Sequence, residues 1–384
     1  MISMGGPQPL RQDNQPNDYR TWANRRYVED SGTTWVKLWV SWYDLQHSYQ
    51  PTSQADSWRD LDAAPSGEAW LRRLDGQIKA ANDDGIGVIV TVYQAFPTWA
   101  SGATGPDPLS SKGPERKLPV DLSANGPWGW FVGHLSARYN GSYNAIGPHA
   151  PGMGETSAAW FGNPDRARAD ALEIVNEPNT LYWPMDDIVG VTARMIRSAE
   201  ALSFAYGRQT ILAPATSDSP DPGAAGAGVS MDWEEFTSAL LDELASFRPR
   251  VPVHWSQHNY MDVQYEDPAA ASRAKQAIDL LYAKNWKGSA ADRSLWLTEG
   301  GYNLGSAWTD PAARADQASK IQKSFEAMRT IPDVFMWTQH GIDDINGNDF
   351  KSGLRDDFDY ALEAPGAARP SWWTWLTLPG PAVL

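Results

Sequence analysis

Short apolar runs alternate with longer amphipathic segments along this chain, and that alternation constrains its fold more than any other feature. Seven runs are apolar on both strand faces and cover residues 34–41, 87–92, 171–176, 209–213, 251–260, 294–298 and 334–338. Strands buried on both faces are typical of parallel sheets whose strands are connected by helices. The segments between them show helical spacing, with Ser66, Asp267-Pro268 and Asp310-Pro311 as helix-start signals.

The number and order of these units favour one closed barrel. An eighth strand is expected near residues 2–4, which gives eight β/α units in 384 residues. That count predicts an α/β chain whose residues 1–384 form a single (β/α)8 domain; a doubly wound open sheet is the alternative. No glycine-rich phosphate loop follows a strand, and neither a repeat nor a linker divides the chain.

Three stretches rich in proline, glycine and serine read as long loops, at residues 102–127, 141–163 and 217–230. Loops of this length inside a compact domain are typically functional. The first and third follow strand ends, which form the catalytic face of such a barrel. The second follows a helix, so we expect it on the opposite face.

Composition excludes several classes of function. The chain has no cysteine, which removes disulfides, thiol nucleophiles and thiolate metal sites. Its net charge of −15 disfavours nucleic acids and anionic membrane surfaces as partners. The most apolar run, residues 87–92, is too short to span a bilayer, and the first residues lack a secretory pattern. We expect a monomer, either cytoplasmic or secreted with its signal removed.

Two glutamates follow buried strands at positions where a barrel carries its chemistry. Glu177 ends the run Ala-Leu-Glu-Ile-Val-Asn-Glu, and Glu299 ends Leu-Trp-Leu-Thr-Glu. They belong to the fourth and seventh predicted strands, which face each other across a barrel mouth. Cleavage of a glycosidic bond needs one carboxyl as acid and another as nucleophile or base. The 20 tryptophans add flat amphipathic rings of the kind that stack on sugars.

These motifs resemble clan A glycoside hydrolases, which are retaining (β/α)8 enzymes that include the family 5 and family 39 groups. The resemblance rests on Val-Asn-Glu-Pro-Asn at 175–179 and Leu-Thr-Glu-Gly-Gly at 297–301, in strand order over nearly the whole chain. It implies that Glu299 is the nucleophile and Glu177 the general acid/base. It also implies that Asn176 binds the sugar hydroxyl next to the reacting carbon.

The same resemblance implies roles for residues on other strands. His258-Asn-Tyr260 resembles the clan's His-x-Tyr, whose tyrosine orients the nucleophile, and Trp337 resembles the aromatic floor beside the cleaved bond. Lys37 occupies the strand-two position where family 5 commonly has an arginine that supports the nucleophile. A lysine cannot form the bidentate pair of an arginine, so Lys37 departs from the family 5 pattern. Past other strand ends, Trp99 and Trp183 are candidate sugar platforms.

The residues leave other functions open. A non-catalytic carbohydrate-binding barrel would need the aromatic residues but not both glutamates. A metal-dependent barrel hydrolase would need histidine and aspartate ligands at strand ends, where His258 and His340 are the clearest candidates. Residues 343–349, Asp-Asp-Ile-Asn-Gly-Asn-Asp, resemble part of a calcium loop but lack its terminal glutamate, so a solvated turn is favoured. We therefore expect no metal or cofactor, and a carbohydrate substrate whose sugar and linkage stay open.

Overall fold

The protein forms a closed barrel of parallel strands surrounded by helices. The computed structural model describes residues 2–3, 19, 22–63, 65–93, 95–101, 118–141, 166–180, 187–207, 209–218, 231–247, 254–266, 268–286, 294–344, 350–357 and 365–379. The barrel strands are β1 (Ile2–Ser3), β2 (Trp35–Val40), β3 (Gly87–Val92), β4 (Ala171–Glu173), β5 (Thr210–Leu212), β6 (Trp255–His258), β7 (Leu295–Glu299) and β8 (Val334–Trp337), which β9 (Gln339–His340) continues.

Strand pairing closes the circle. One sheet runs in the order β5-β4-β3-β2-β1-β9, and a second runs β6-β7-β8, with parallel pairing throughout. Parallel bridges from Leu212 to His254 and from Thr216 to Gln257 join the two. The predicted (β/α)8 barrel is therefore confirmed. The first strand, at Ile2–Ser3, pairs with β2 on one side and β9 on the other.

Helices cover the outside of the barrel; one starts at Asp310-Pro311 as predicted, whereas the helix expected to be capped by Ser66 already begins at Pro65. They are α1 (Trp22–Asp30), α2 (Trp42–Gln46), α3 (Gln54–Ala63), α4 (Pro65–Asp83), α5 (Thr98–Ser101), α6 (Pro127–Arg138), α7 (Ile188–Leu202), α8 (Trp233–Ser246), α9 (Tyr260–Tyr265), α10 (Arg273–Ala283), α11 (Pro311–Met328) and α12 (Pro370–Thr377). Asp310 caps α11 by accepting from the Ala312 amide at 2.9 Å. Among the described residues, no helix combines the length and apolarity that crossing a membrane requires.

Several predicted boundaries differ from the structure; β4, for example, ends at Glu173 rather than at residue 176. The helix expected from Asp267-Pro268 starts later, as α10, because the Ser272 hydroxyl accepts from the Lys275 amide and Asp262 accepts from the Arg273 amide. The strand expected over residues 251–260 is shortened at its end, because helix α9 already begins at Tyr260. After the eighth strand, β10 (Asp343–Asp344) pairs with β11 (Arg355–Asp357) in a small separate sheet.

The barrel interior changes from apolar to charged towards the strand ends. Its lower layer is a cluster formed by residues from five strands, Ile89, Ala171, Leu212, Trp296 and Met336, with Trp35 packed against it. Side chains two residues further along a strand lie on the same face, one layer higher. That step leads to the buried residues Lys37, Thr91, Glu173 and Thr298. The interior beneath the strand ends is therefore a polar layer.

Candidate active site

Glu177 and Glu299 lie at the carboxyl ends of their strands, as the sequence predicts. Glu299 is the last residue of β7 and is 7% exposed. Glu177 follows β4, and its backbone amide donates to the Ala215 carbonyl at 2.9 Å. Val175 and Glu177 both have positive φ, at 70° and 44°. This conformation is costly for residues with a Cβ, and above all for a β-branched valine, so the backbone stores strain where it turns at Glu177.

The imidazole of His258 connects the two glutamates. Its Nδ1 lies 2.8 Å from Glu177 Oε1, and its Nε2 lies 3.2 Å from Glu299 Oε2. The ring is completely buried at the end of β6. Burial lowers the pKa of His258, but the charge of Glu299 and the hydrogen bond to Glu177 outweigh that effect, so the pKa is raised. A protonated ring in this position can donate to both carboxylates at once.

Glu299 is surrounded by donors and cations. Lys37 Nζ lies 3.1 Å from its Oε2, and the Tyr260 hydroxyl donates to its Oε1 at 2.8 Å. His340 Nε2 lies 3.4 Å from the same Oε1. Burial raises the pKa of Glu299, but the charges of His258 and Lys37 and the Tyr260 hydrogen bond hold it well below its ordinary value. Glu299 is therefore an ionised carboxylate.

Beneath Glu299, Lys37 is shared with a third carboxylate. Its Nζ lies 2.8 Å from Glu173 Oε2, and both side chains are fully buried. The hydroxyls of Thr91 and Thr298 also donate to Glu173, at 2.8 and 2.6 Å. Burial raises the pKa of Glu173. The charge of the Lys37 ammonium and the other groups that lower it outweigh burial, so the pKa lies below its ordinary value. Burial likewise lowers the pKa of Lys37, and the two carboxylates more than reverse that effect.

The structure brings together most, but not all, of the predicted residues. Glu177, Glu299, Lys37, His258 and Tyr260 form one contact network. Lys37 and His258 are fully buried and contact the glutamates, so their predicted contact with a substrate stays a prediction. Asn176, which is 5% exposed, precedes Glu177 and bridges to Ala215. Trp183 lies outside the described residues.

Trp337 is the predicted site residue that the structure places elsewhere. Its ring packs against Phe325 of α11 and stacks on Trp375 of α12, with ring centroids 5.9 and 5.3 Å apart. The preceding Met336 faces the barrel interior, so strand alternation turns Trp337 outwards. Its expected role as the floor of a sugar subsite is therefore wrong. Trp99 is half-buried, donates to the Gln46 carbonyl at 2.9 Å and packs on the core, so its role as a platform stays a prediction.

Three site residues were not singled out from the sequence in these roles: Glu173, His340 and Trp39. Lys37 Nζ lies 4.7 Å from the centre of the Trp39 ring, which contacts Tyr93 edge-on. Trp39 lies two residues beyond Lys37 on the same interior face, so strand alternation could have placed it at the mouth. Strand alternation likewise places Glu173 inside the barrel, and His340 was considered only as a metal ligand, but their contacts with Lys37 and Glu299 depend on other strands and leave no local signal.

The candidate calcium loop is only partly within the described residues. Asp344 pairs with Arg369 at 2.5 Å, and Asp343 lies 3.5 Å from Arg355 and accepts from the Gly366 amide. These contacts tie both carboxylates into the small sheet formed by β10 and β11. Residues 345–349 lie outside the described part of the chain. Within that part, no three acidic or histidine side chains are grouped as metal ligands.

Comparison with solved structures supports the architecture. Fpglu1 from Fervidobacterium pennivoraus is 12% identical, with 95% of this chain and 84% of that chain covered and a TM-score of 0.55. A hyperthermophilic β-glucosidase from Pyrococcus furiosus is 13% identical, with coverages of 95% and 84% and a TM-score of 0.54. The β-glycosidase of Thermosphaera aggregans is 13% identical, with coverages of 95% and 85% and a TM-score of 0.51. No family model and no curated protein matches the chain. At these identities, the likeness shows the fold.

Proposed function

We propose that this chain is a retaining glycoside hydrolase, which cleaves O-glycosidic bonds of an oligo- or polysaccharide by double displacement. The observation that carries the proposal is the contact of Glu177 and Glu299 with opposite nitrogens of one buried histidine at the mouth of the barrel. Two carboxyl groups held in unlike surroundings are what an acid and a nucleophile require. The names of the solved β-glucosidase and β-glycosidase of like fold support the same reaction class.

In the first step, Glu299 is the nucleophile. Its Oε2 faces the buried Lys37 and His258, whereas its Oε1 is contacted by Tyr260 and the partly exposed His340. Oε1 therefore lies on the side of the cleft and attacks the anomeric carbon. The bond to the leaving oxygen breaks as Glu177 gives that oxygen its proton, and an ester to Glu299 forms.

In the second step, Glu177 acts as the base. It takes a proton from a water molecule, the water oxygen attacks the anomeric carbon, and the ester bond returns its electron pair to Glu299. The proton taken from water leaves Glu177 protonated for the next cycle, and between the two steps, while that carboxyl is charged, His258 Nδ1 can donate a hydrogen bond to it at 2.8 Å. Lys37 stabilises the charge that returns to Glu299.

We propose that residues 1–384 act as one catalytic domain, and that this domain is related to the family 5 and family 39 groups of clan A glycoside hydrolases. A monomeric state stays a prediction. The alternative of a non-catalytic carbohydrate-binding barrel would leave the charge arrangement around Glu299 without a use. A screen of aryl glycosides and polysaccharides with product analysis identifies the sugar and the linkage.

A covalent trap tests the proposal. An activated 2-deoxy-2-fluoro glycoside of the preferred sugar should inactivate the enzyme, and peptide mapping should find the label on Glu299. Glu299→Gln should abolish turnover, whereas the matched change Glu326→Gln, at an exposed position on α11, should leave it intact. Label on another residue, or substantial turnover by Glu299→Gln, would show that the assignment is wrong.

A further inference from the structure

Glu173 is a buried carboxylate for which the two-glutamate reaction has no role. It lies on β4, four residues before Glu177, with a side chain that is fully buried. Two threonine hydroxyls and the Lys37 ammonium occupy its oxygens. An ionised group in this position is costly unless its partners repay the desolvation, so its contacts decide whether it is tolerated.

Lys37 is the group through which Glu173 reaches the site. Its Nζ is 2.8 Å from Glu173 Oε2, 3.1 Å from Glu299 Oε2 and 3.4 Å from His258 Nε2. The cation therefore lies closer to the carboxylate that takes no part in the reaction. A lysine stem has four rotatable bonds, so the ammonium stays beside Glu299 only if something holds it there.

We propose that Glu173 is a positioning residue, which holds Lys37 as an ammonium against Oε2 of the proposed nucleophile Glu299. The inference rests on the proposed function, because it assigns Glu173 to the same reaction. Strand β4 then supplies both the proposed acid/base, Glu177, and the charge that keeps the lysine of β2 in place. Lys37 matters most in the second step, when the electron pair of the ester returns to Glu299.

The charge balance around Lys37 fixes the direction of the effect. Burial opposes its positive charge, Glu173 and Glu299 favour it, and His258 faces it from β6. If Glu173 loses its charge, one of the two favourable partners disappears while burial is unchanged, so the pKa of Lys37 must fall. Above the new pKa, Lys37 is neutral and no longer stabilises the charge on Glu299. Turnover should then decline on the alkaline side.

Glu173→Gln tests this directly, because it retains the size of the side chain and removes the charge. The pKa of Lys37 is measured by NMR of 13Cε-labelled lysine, with its signal assigned by its absence in Lys37→Met. We expect that pKa to fall by about one pH unit or more. For an activated aryl glycoside, whose leaving group needs little protonation and whose turnover is limited by the second step, the kcat profile should gain an alkaline decline at the same pH. Glu173→Asp, which withdraws the charge by one methylene, should shift both in the same direction by less and serves if Glu173→Gln does not fold.

Asp75→Asn is the matched control. Asp75 is also fully buried and paired with a cation, Arg138, but it lies on α4 in the helical layer. Its replacement should lower stability while leaving the Lys37 titration and the kcat profile unchanged.

Each outcome is decisive. An unchanged Lys37 titration in Glu173→Gln would refute the inference, whatever the activity. A lowered titration without a change in the kcat profile would also refute it, because the charge of Lys37 would then have no use in the reaction. A lowered titration in a protein whose wild type turns over no glycoside would uphold the coupling of Glu173 to Lys37 and refute the proposed function.

Discussion

Lys37→Met should destabilise the protein strongly, and the loss should grow with pH. Methionine fills nearly the same unbranched volume, so the substitution removes the charge with little change in packing. Glu173 would then be a fully buried carboxylate without a cation beside it. Breaking a buried ion pair by removing one partner typically costs about 3–5 kcal/mol. The ionised carboxylate of Glu299 would lose less stabilisation, because His258, Tyr260 and His340 still contact it.

The pH dependence follows from the pKa of Glu173. In the wild type that pKa lies below its ordinary value, so the ionised group stabilises the fold above the unfolded pKa, and this contribution is lost as pH falls. In Lys37→Met, the largest effect that lowers this pKa is lost and only His258 and the threonine hydroxyls still oppose burial, so we expect the pKa to rise above the unfolded value. Ionisation of Glu173 then destabilises the folded variant at neutral pH. It does not do so near pH 4, because the Glu173 carboxyl is largely protonated there in both the folded and the unfolded chain. The difference from wild type should therefore be small near pH 4 and largest near pH 7.

Urea unfolding at several pH values between 4 and 7.5 measures this difference. The double variant Lys37→Met with Glu173→Gln should recover much of the lost stability, since replacing both members of a buried pair is far less costly than removing one. Lys275→Met, which removes an exposed ion pair with Asp279, is the matched control and should cost less than about 1 kcal/mol. A loss in Lys37→Met that is below about 1 kcal/mol, or that does not vary with pH, would refute this reasoning.

Three further predictions concern turnover. Tyr260→Phe should reduce kcat/KM roughly 100-fold with little change in the thermal unfolding temperature, because it removes one positioned hydrogen bond to Glu299; a loss below about threefold would make Tyr260 a packing residue. His340→Ala should lower kcat/KM by less than roughly tenfold, because the contact of His340 with Glu299 is longer and partly exposed. A decrease in kcat/KM as large as that of Tyr260→Phe would contradict this ranking. Glu177→Ala should slow glycosides with poor leaving groups most, and azide should restore turnover of activated aryl glycosides with a glycosyl azide of retained configuration; an inverted azide product would exclude the retaining mechanism.

The barrel could be predicted from the sequence because its strands are buried on both faces and its helices are amphipathic. The strand expected near residues 2–4, as the eighth unit of the barrel, is present as Ile2–Ser3 and pairs with β2 and β9. The first and last residues of the helices and strands were harder to predict from the sequence. Helix α10 begins at Arg273 rather than after Asp267-Pro268, because the cap is formed by Ser272 together with Asp262, which comes from the preceding helix.

The site was predictable where a residue's position along its strand decides its role. Glu177 and Glu299 follow apolar strands, and strand ends share one face of a barrel. Trp337 could not be assigned from the same information, because the run Val334–Trp337 is apolar at every position. Such a run does not show which alternate residues face inwards. Met336 faces the barrel interior, so Trp337 belongs to the helical layer.

The lysine on β2 explains why the interior needs a third carboxylate. An arginine fork could hold a carboxylate through two parallel hydrogen bonds and would fix its own orientation by doing so. A lysine offers a point charge on a flexible stem, and here that charge lies within 3.4 Å of Glu173, Glu299 and His258 at once. In the role proposed for it, Glu173, fixed in turn by Thr91 and Thr298, supplies from below the orientation that a lysine cannot give its own charge. A lysine on β2 and an ionised Glu173 beneath it are then two parts of one arrangement.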